Sequence, residues 1–99
     1  MKKNPKRTPV EATIILQNLD SEILTEFVAL SDTKTFEKLE IFARRYAETM
    51  KNQIIDLSTE DERKLANEIA IRKGKIFAAG VIIEVIKGAK SEIARRKEG

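Results

Sequence analysis

Two long apolar repeats constrain the fold of this 99-residue chain more than any other feature. The first repeat is spaced 3, 4, 3, 4, 3, 4 and consists of Phe36, Leu39, Ala43, Tyr46, Met50, Gln53 and Leu57. The second continues the same spacing and consists of Leu65, Ile69, Arg72, Ile76, Ala79, Ile83, Ile86, Lys90 and Ile93. Apolar residues that recur three and four positions apart lie on one face of an α-helix. The spacing therefore predicts two long helices, over residues 34–57 and 59–97.

An acidic run between the two repeats predicts where the second helix begins. Ser58 can pair with Asp61, or Thr59 with Glu62, in a capping arrangement, and acidic side chains suit the positive end of a helix dipole. A connection this short makes consecutive helices antiparallel neighbours. The sequence thus predicts a coiled-coil-like αα-hairpin with its turn near residues 57–59. The second arm would be about 55 Å long at 1.5 Å per residue.

Two shorter segments precede the hairpin. Residues 9–19 and 21–30 each predict a short helix, although the β-branched run at residues 13–15 leaves a strand open as the alternative for residues 10–17. Residues 1–8 are basic and lack apolar periodicity, which predicts a disordered arm. We therefore expect an all-α protein with one helical domain over residues 9–99.

The composition excludes several classes of chemistry. The chain has no Cys and no His, which rules out disulfides, Cys/His zinc sites and Ser-His-Asp triads. It also lacks a phosphate-binding glycine loop, a dinucleotide fingerprint and a calcium loop. Capping accounts for the acidic run at residues 60–62, where consecutive side chains point in different directions. We expect no catalytic residue, no cofactor, no metal and no small-molecule substrate, so the chain is not predicted to be an enzyme.

The most apolar window, residues 76–86, is too short to cross a membrane. Eleven residues span about 16 Å as a helix, against about 30 Å for the hydrocarbon core of a bilayer. The basic start of the chain is not followed by an apolar signal segment. The sequence therefore predicts a cytoplasmic protein without a membrane partner.

The same window carries more apolar surface than one partner helix can cover. The residues left for other faces, and hence the predicted protein interface, are Phe77, Val81, Ile82 and Val85. Either the N-terminal helices fold back over this stretch, or another subunit covers it. We expect a homo-oligomer or docking on a larger protein assembly.

Basic residues on the second arm indicate an alternative function. The candidates for contact with phosphates or an acidic partner are Arg72, Lys73, Lys75, Lys87, Lys90, Arg95, Arg96 and Lys97. Contacts of this kind would give a nucleic-acid-binding accessory protein without sequence specificity and with strong salt dependence. The basic residues between positions 87 and 97 have no aromatic residue among them for base stacking. Terminal Lys and Arg residues also serve simply to keep a small protein in solution.

The order of these features resembles that of small helical proteins encoded by tailed bacteriophages and prophages. The resemblance covers residues 20–97. It rests on the sequence segment at residues 30–36, on the two long charged helices that follow, and on the basic segment with a glycine at residues 72–76. It implies a non-enzymatic role in virion assembly or packaging, with the host cytoplasm or the virion as location, and it transfers no catalytic residue.

Overall fold

The computed structural model describes residues 9–58 and 60–98 and places four α-helices in them. The helices are α1 (Val10–Asn18), α2 (Ser21–Ser31), α3 (Lys34–Asp56) and α4 (Glu62–Glu98). The described residues contain no β-strand, which confirms the all-α prediction. The predicted basic arm at residues 1–8 lies outside the described part of the chain.

Helices α3 and α4 form the predicted antiparallel hairpin. Near its turn, Arg72 Nε donates a hydrogen bond of 3.1 Å to Gln53 Oε1. Farther from the turn, Lys87 Nζ lies 3.5 Å from Glu40 Oε2. The two repeats contain three polar members, Gln53, Arg72 and Lys90, and the first two of them meet across the hairpin.

The turn of the hairpin is longer than the sequence predicts. Helix α3 ends at Asp56 and α4 begins at Glu62, three residues later than expected. Asp61 explains the later start, because its Oδ1 accepts hydrogen bonds from the backbone N–H groups of Arg63 and Lys64 at 3.0 and 3.1 Å. Thr59, one of the predicted capping residues, lies outside the described residues.

The N-terminal segments are both helical, so residues 10–17 form a helix and not the alternative strand. Thr33 separates them from α3, and its Oγ1 accepts a hydrogen bond of 3.1 Å from the N–H of Phe36. Helices α1 and α2 pack against α4, and α2 also touches the start of α3. The longest dimension of the molecule is 55 Å, which is the length expected for the 37 residues of α4.

The core lies where α1 and α2 cover the C-terminal half of α4. Its buried side chains are Ala12, Leu16, Leu24, Val81, Val85 and Ala89. Gly88 makes a close approach possible at this contact, because a Cβ atom there would lie 2.7 Å from Cδ1 of Leu16. The N-terminal helices therefore fold back over α4, as one of the two sequence-based alternatives proposes.

An ionic cluster around the buried Glu92 connects α1 with the end of α4. The carboxylate of Glu92 is buried and accepts hydrogen bonds from the guanidinium groups of Arg95 and Arg96 at 2.6 to 3.0 Å. Arg96 also donates to the backbone carbonyls of Leu16 and Leu19, at 3.0 and 2.7 Å. These carbonyls belong to the C-terminal turn of α1 and its cap. The carbonyl of Leu16 also accepts a hydrogen bond of 3.3 Å from the N–H of Leu19, and Arg96 provides the Leu19 carbonyl with a donor beyond the end of the helix. A cation at this position also matches the negative end of the helix dipole.

This cluster predicts a specific loss of stability in acid. The hydrogen bond from Arg95, with that from Arg96, lowers the pKa of Glu92 to about 2, although burial acts in the opposite direction. An unfolded Glu has a pKa of about 4.3, so the contribution of Glu92 is complete above that pH and is lost as the pH falls toward 2. We expect the urea midpoint of the wild type to fall more steeply between about pH 4.5 and 2 than that of Glu92→Gln. Equal slopes for the two proteins would contradict this expectation.

Candidate protein-interaction site

The structure divides the four predicted interface residues into two pairs. Val81 and Val85 are buried within the chain by the N-terminal helices. Phe77 and Ile82 remain exposed, and they lie on different sides of α4. Hence the chain itself covers part of the surplus apolar surface, and the prediction of an intermolecular contact now concerns only Phe77 and Ile82.

Ile82 borders an apolar groove between α3 and α4, which we call the hairpin groove. The groove has a volume of about 460 Å³. It is lined by Leu39, Phe42, Ala43, Tyr46, Lys75, Ala78, Ala79, Ile82, Ile83 and Ile86. Its two most exposed apolar side chains stand on opposite walls: Phe42 on α3 is 67% exposed, and Ile82 on α4 is 61% exposed.

Three of the residues that line the hairpin groove are alanines. Ala43 on α3 and Ala78 and Ala79 on α4 carry only a methyl group between the larger side chains of the two walls. A partner with apolar side chains can therefore approach the backbones of both helices. An apolar concave surface between two helices is a typical docking site for a third helix.

One basic residue lines the hairpin groove, and two more lie beside Phe42 on the side of α3 that points away from the groove; we call the three the basic rim. Lys75 lines the groove itself. Lys38 and Arg45 are exposed and lie four residues before and three residues after Phe42, which makes them its neighbours on the surface of α3. None of the three forms an ion pair with another residue in the described part of the chain. The rim therefore favours an acidic partner.

A second groove lies between the same two helices and reaches the start of α1. It has a volume of about 510 Å³, and Pro9, Phe77 and Gly80 are among the residues that line it. The ion pair of Glu40 with Lys87 also lies along this groove, so its walls are more polar than those of the hairpin groove. It is a weaker candidate for an apolar partner.

The structure divides the eight residues that were predicted to contact phosphates into two groups of four. Four of them have a carboxylate partner within the chain, since Arg72 pairs with Glu68, Lys87 with Glu40, and both Arg95 and Arg96 with Glu92. The other four make no ion pair with any described residue, and they are Lys73, Lys75, Lys90 and Lys97.

The remaining lysines lie on two sides of α4. Lys73 and Lys75 are two residues apart on a helix, which places them on nearly opposite sides of α4. Lys75, Lys90 and Lys97 lie within about 60° of one another around the helix axis. Phosphate binding by these lysines stays a prediction.

Neither a metal centre nor a membrane span is found in the described residues. These residues contain no group of three or more acidic side chains placed to hold a metal ion. None of the helices described has a stretch long and apolar enough to cross a membrane.

Sequence reasoning missed the α3 wall of this site. The apolar repeat places Leu39 and Tyr46 on the seam toward α4, yet in the structure they also line an open groove. Phe42 immediately precedes the seam position Ala43 in the sequence. Its place next to the seam, and not on it, is the signal that could have identified Phe42 as an exposed residue of the groove wall.

No family model, curated protein or solved structure matches this chain. The case for a function therefore depends on the geometry and charge of the hairpin groove.

Proposed function

We propose that this protein is a non-catalytic assembly or adaptor protein that acts through helix-mediated contacts with other protein. The observation that carries the proposal is the hairpin groove, in which Phe42 and Ile82 expose large apolar surfaces on opposite walls. Contiguous apolar surface of this kind is typical of interaction sites. The absence of His and Cys from the sequence supports a role without catalysis.

We further propose that the contacts include other copies of the same chain. Two apolar surfaces that face away from the core support this part of the proposal, one in the hairpin groove and one on the outside of α1. The resemblance to small phage-encoded helical proteins supports virion assembly as the setting, with the host cytoplasm or the virion as location. That resemblance is the sole support for the setting.

Light scattering of the pure protein, with and without duplex DNA and across salt concentrations, tests the proposal. We expect a mass above 11.2 kDa without DNA, changing little with salt, because apolar burial is not screened by ions. A monomer that gains mass only with DNA, and loses it as salt rises, would contradict the proposal. That result would favour the accessory nucleic-acid-binding alternative, whose affinity depends on counterion release.

A further inference from the structure

We infer that Asp32 and Thr33 form a hinge at which α2 and α3 join into one continuous helix, so that two copies of the chain exchange their N-terminal helices. We call α1 and α2 together the N-terminal unit. In the exchanged dimer, the N-terminal unit of each copy covers the α4 helix of the other. The inference rests on the proposed self-association and names the segment that is exchanged.

The break between α2 and α3 depends on one residue. Asp32 has φ −94° and ψ 9°, which is near the helical region, whereas Thr33 has φ −105° and ψ 158°, which is extended. The sequence around the break is compatible with a helix, because residues 10–73 contain neither Gly nor Pro. A change mainly in ψ of Thr33 therefore makes residues 21–56 a single helix.

The side chain of Thr33 holds the break in place. Its Oγ1 donates a hydrogen bond of 2.6 Å to the carbonyl of Leu30 and accepts one of 3.1 Å from the N–H of Phe36. The hydroxyl thus connects the last turn of α2 with the first turn of α3. A continuous helix replaces these hydrogen bonds by backbone bonds between residues four apart, so both conformations of the hinge satisfy the backbone groups around it.

The N-terminal unit is attached mainly to α4. Outside the unit, α1 and α2 make most of their contacts with α4 and few with α3. Leu24 is fully buried in the core cluster, and Leu16 packs on Gly88. The hinge and this contact with α4 are therefore what hold the unit on its own hairpin.

A straightened helix carries the N-terminal unit away from its own α4. Two contacts set the register of the hairpin, Glu40 with Lys87 and Gln53 with Arg72. In this register Glu98, the last residue of α4, lies opposite about residue 28 of the straightened helix. The first turns of α2 then project beyond the end of α4, where their own chain has no surface to cover them.

The α4 helix of a second copy carries a surface that fits the released unit. In each chain this surface consists of Val81, Val85 and Ala89. The exchanged contact restores the approach of Leu16 to Gly88 and the hydrogen bonds from Arg96 to the carbonyls of α1. Exchange therefore repeats between chains the contacts that one chain makes within itself, which is why it gives dimers at little cost in free energy. Reciprocal exchange leaves neither surface uncovered, so the assembly closes as a dimer.

Variants of the hinge test the inference without altering the core. Thr33→Ala removes the hydroxyl that holds the break, and we expect it to tighten dimerisation about thirtyfold, because the cap is lost in both chains of a dimer. Lys34→Pro keeps α3, since proline suits the first position of a helix, but it keeps Thr33 extended. We expect it to weaken dimerisation by more than about a hundredfold. Sedimentation over a series of concentrations measures both effects.

Matched controls separate the hinge from the side chains that are changed. Thr33→Ser keeps the hydroxyl at the break, and Lys34→Ala removes the same charge as Lys34→Pro without restricting Thr33. Both controls should dimerise like the wild type.

Cysteine cross-linking identifies the chain that covers α4. The sequence contains no cysteine of its own. A copy with Leu16→Cys mixed with a copy with Gly88→Cys should form a disulfide between chains, because exchange places position 16 of one copy on position 88 of the other. The same mixture with Lys34→Pro in both chains should form none, and neither should Ile55→Cys mixed with Gly88→Cys. The hinge variants decide the question by themselves if Leu16→Cys does not fold.

The outcomes distinguish the inference from the proposed function. A wild type that dimerises as tightly as Lys34→Pro, with no disulfide between positions 16 and 88, would overturn the exchange and leave self-association standing. Equal affinities of Thr33→Ala and Thr33→Ser would likewise show that the hinge does not control association. If the wild type and Thr33→Ala both stay monomeric at about 100 µM, a concentration that detects weak contacts, exchange and self-association are both wrong.

Discussion

Val85→Asp is expected to leave the chain unfolded at room temperature. Val85 is 5% exposed and lies in the cluster where α1 and α2 meet α4. The α1 and α2 segments that cover Val85 contain no Lys or Arg that could pair with a carboxylate placed there. Burying an unpaired charge costs several kcal/mol, which is comparable with the total stability of a small domain, about 5–15 kcal/mol. Circular dichroism during thermal unfolding measures the effect.

Ile82→Asp is the matched control for that experiment. It places the same charge on the same helix only three residues away, but at a position that faces solvent in the hairpin groove. We expect this variant to keep the helical content and the cooperative transition of the wild type. If the two variants lost stability equally, the division of α4 into a core face and a groove face would be wrong.

The hairpin follows from the sequence because its pattern is local and repeats. Spacings of three and four residues identify the facing sides of α3 and α4 without knowledge of the rest of the chain. Two of the three polar exceptions also follow the pattern, since Gln53 and Arg72 interrupt the repeats and bind each other across the hairpin.

The position of the N-terminal helices does not follow from the sequence. Helix α1 carries apolar residues around most of its circumference, so periodicity cannot decide whether Ala12 or Ile14 faces the core. Gly88 favours the observed packing, because a Cβ atom there would lie 2.7 Å from Cδ1 of Leu16 and the leucine side chain would have to shift. That match joins residues 72 positions apart, and no local pattern encodes it.

The role of Arg96 was not predicted either, because it depends on a contact between residues that are far apart in the sequence. Among the basic residues at the end of α4, a sequence pattern cannot separate an arginine that binds phosphates from one that binds the backbone of α1. The structure shows that Arg96 turns inward to the carbonyls of α1, while Arg95 stays largely in solvent and contacts Glu92. The two neighbouring arginines therefore provide a direct experimental comparison.

Arg96→Ala is expected to destabilise the fold by about 2 kcal/mol or more, because it removes charge-assisted hydrogen bonds to Glu92 and to the backbone of α1, including the one that the Leu19 carbonyl accepts. Urea unfolding measures the loss, and hydrogen exchange should show the amides of α1 losing protection before those of the hairpin. Arg95→Ala is the comparison variant, and it should cost less than Arg96→Ala, because Arg95 contacts Glu92 alone and its side chain is 59% exposed, whereas Arg96 also binds the carbonyls of α1. Arg96→Lys should recover only part of the loss, since an ammonium group lacks the planar set of donors that reaches Glu92 and the α1 carbonyls together. Equal destabilisation by Arg95→Ala and Arg96→Ala would show that Glu92, rather than the contact with α1, is what these arginines stabilise.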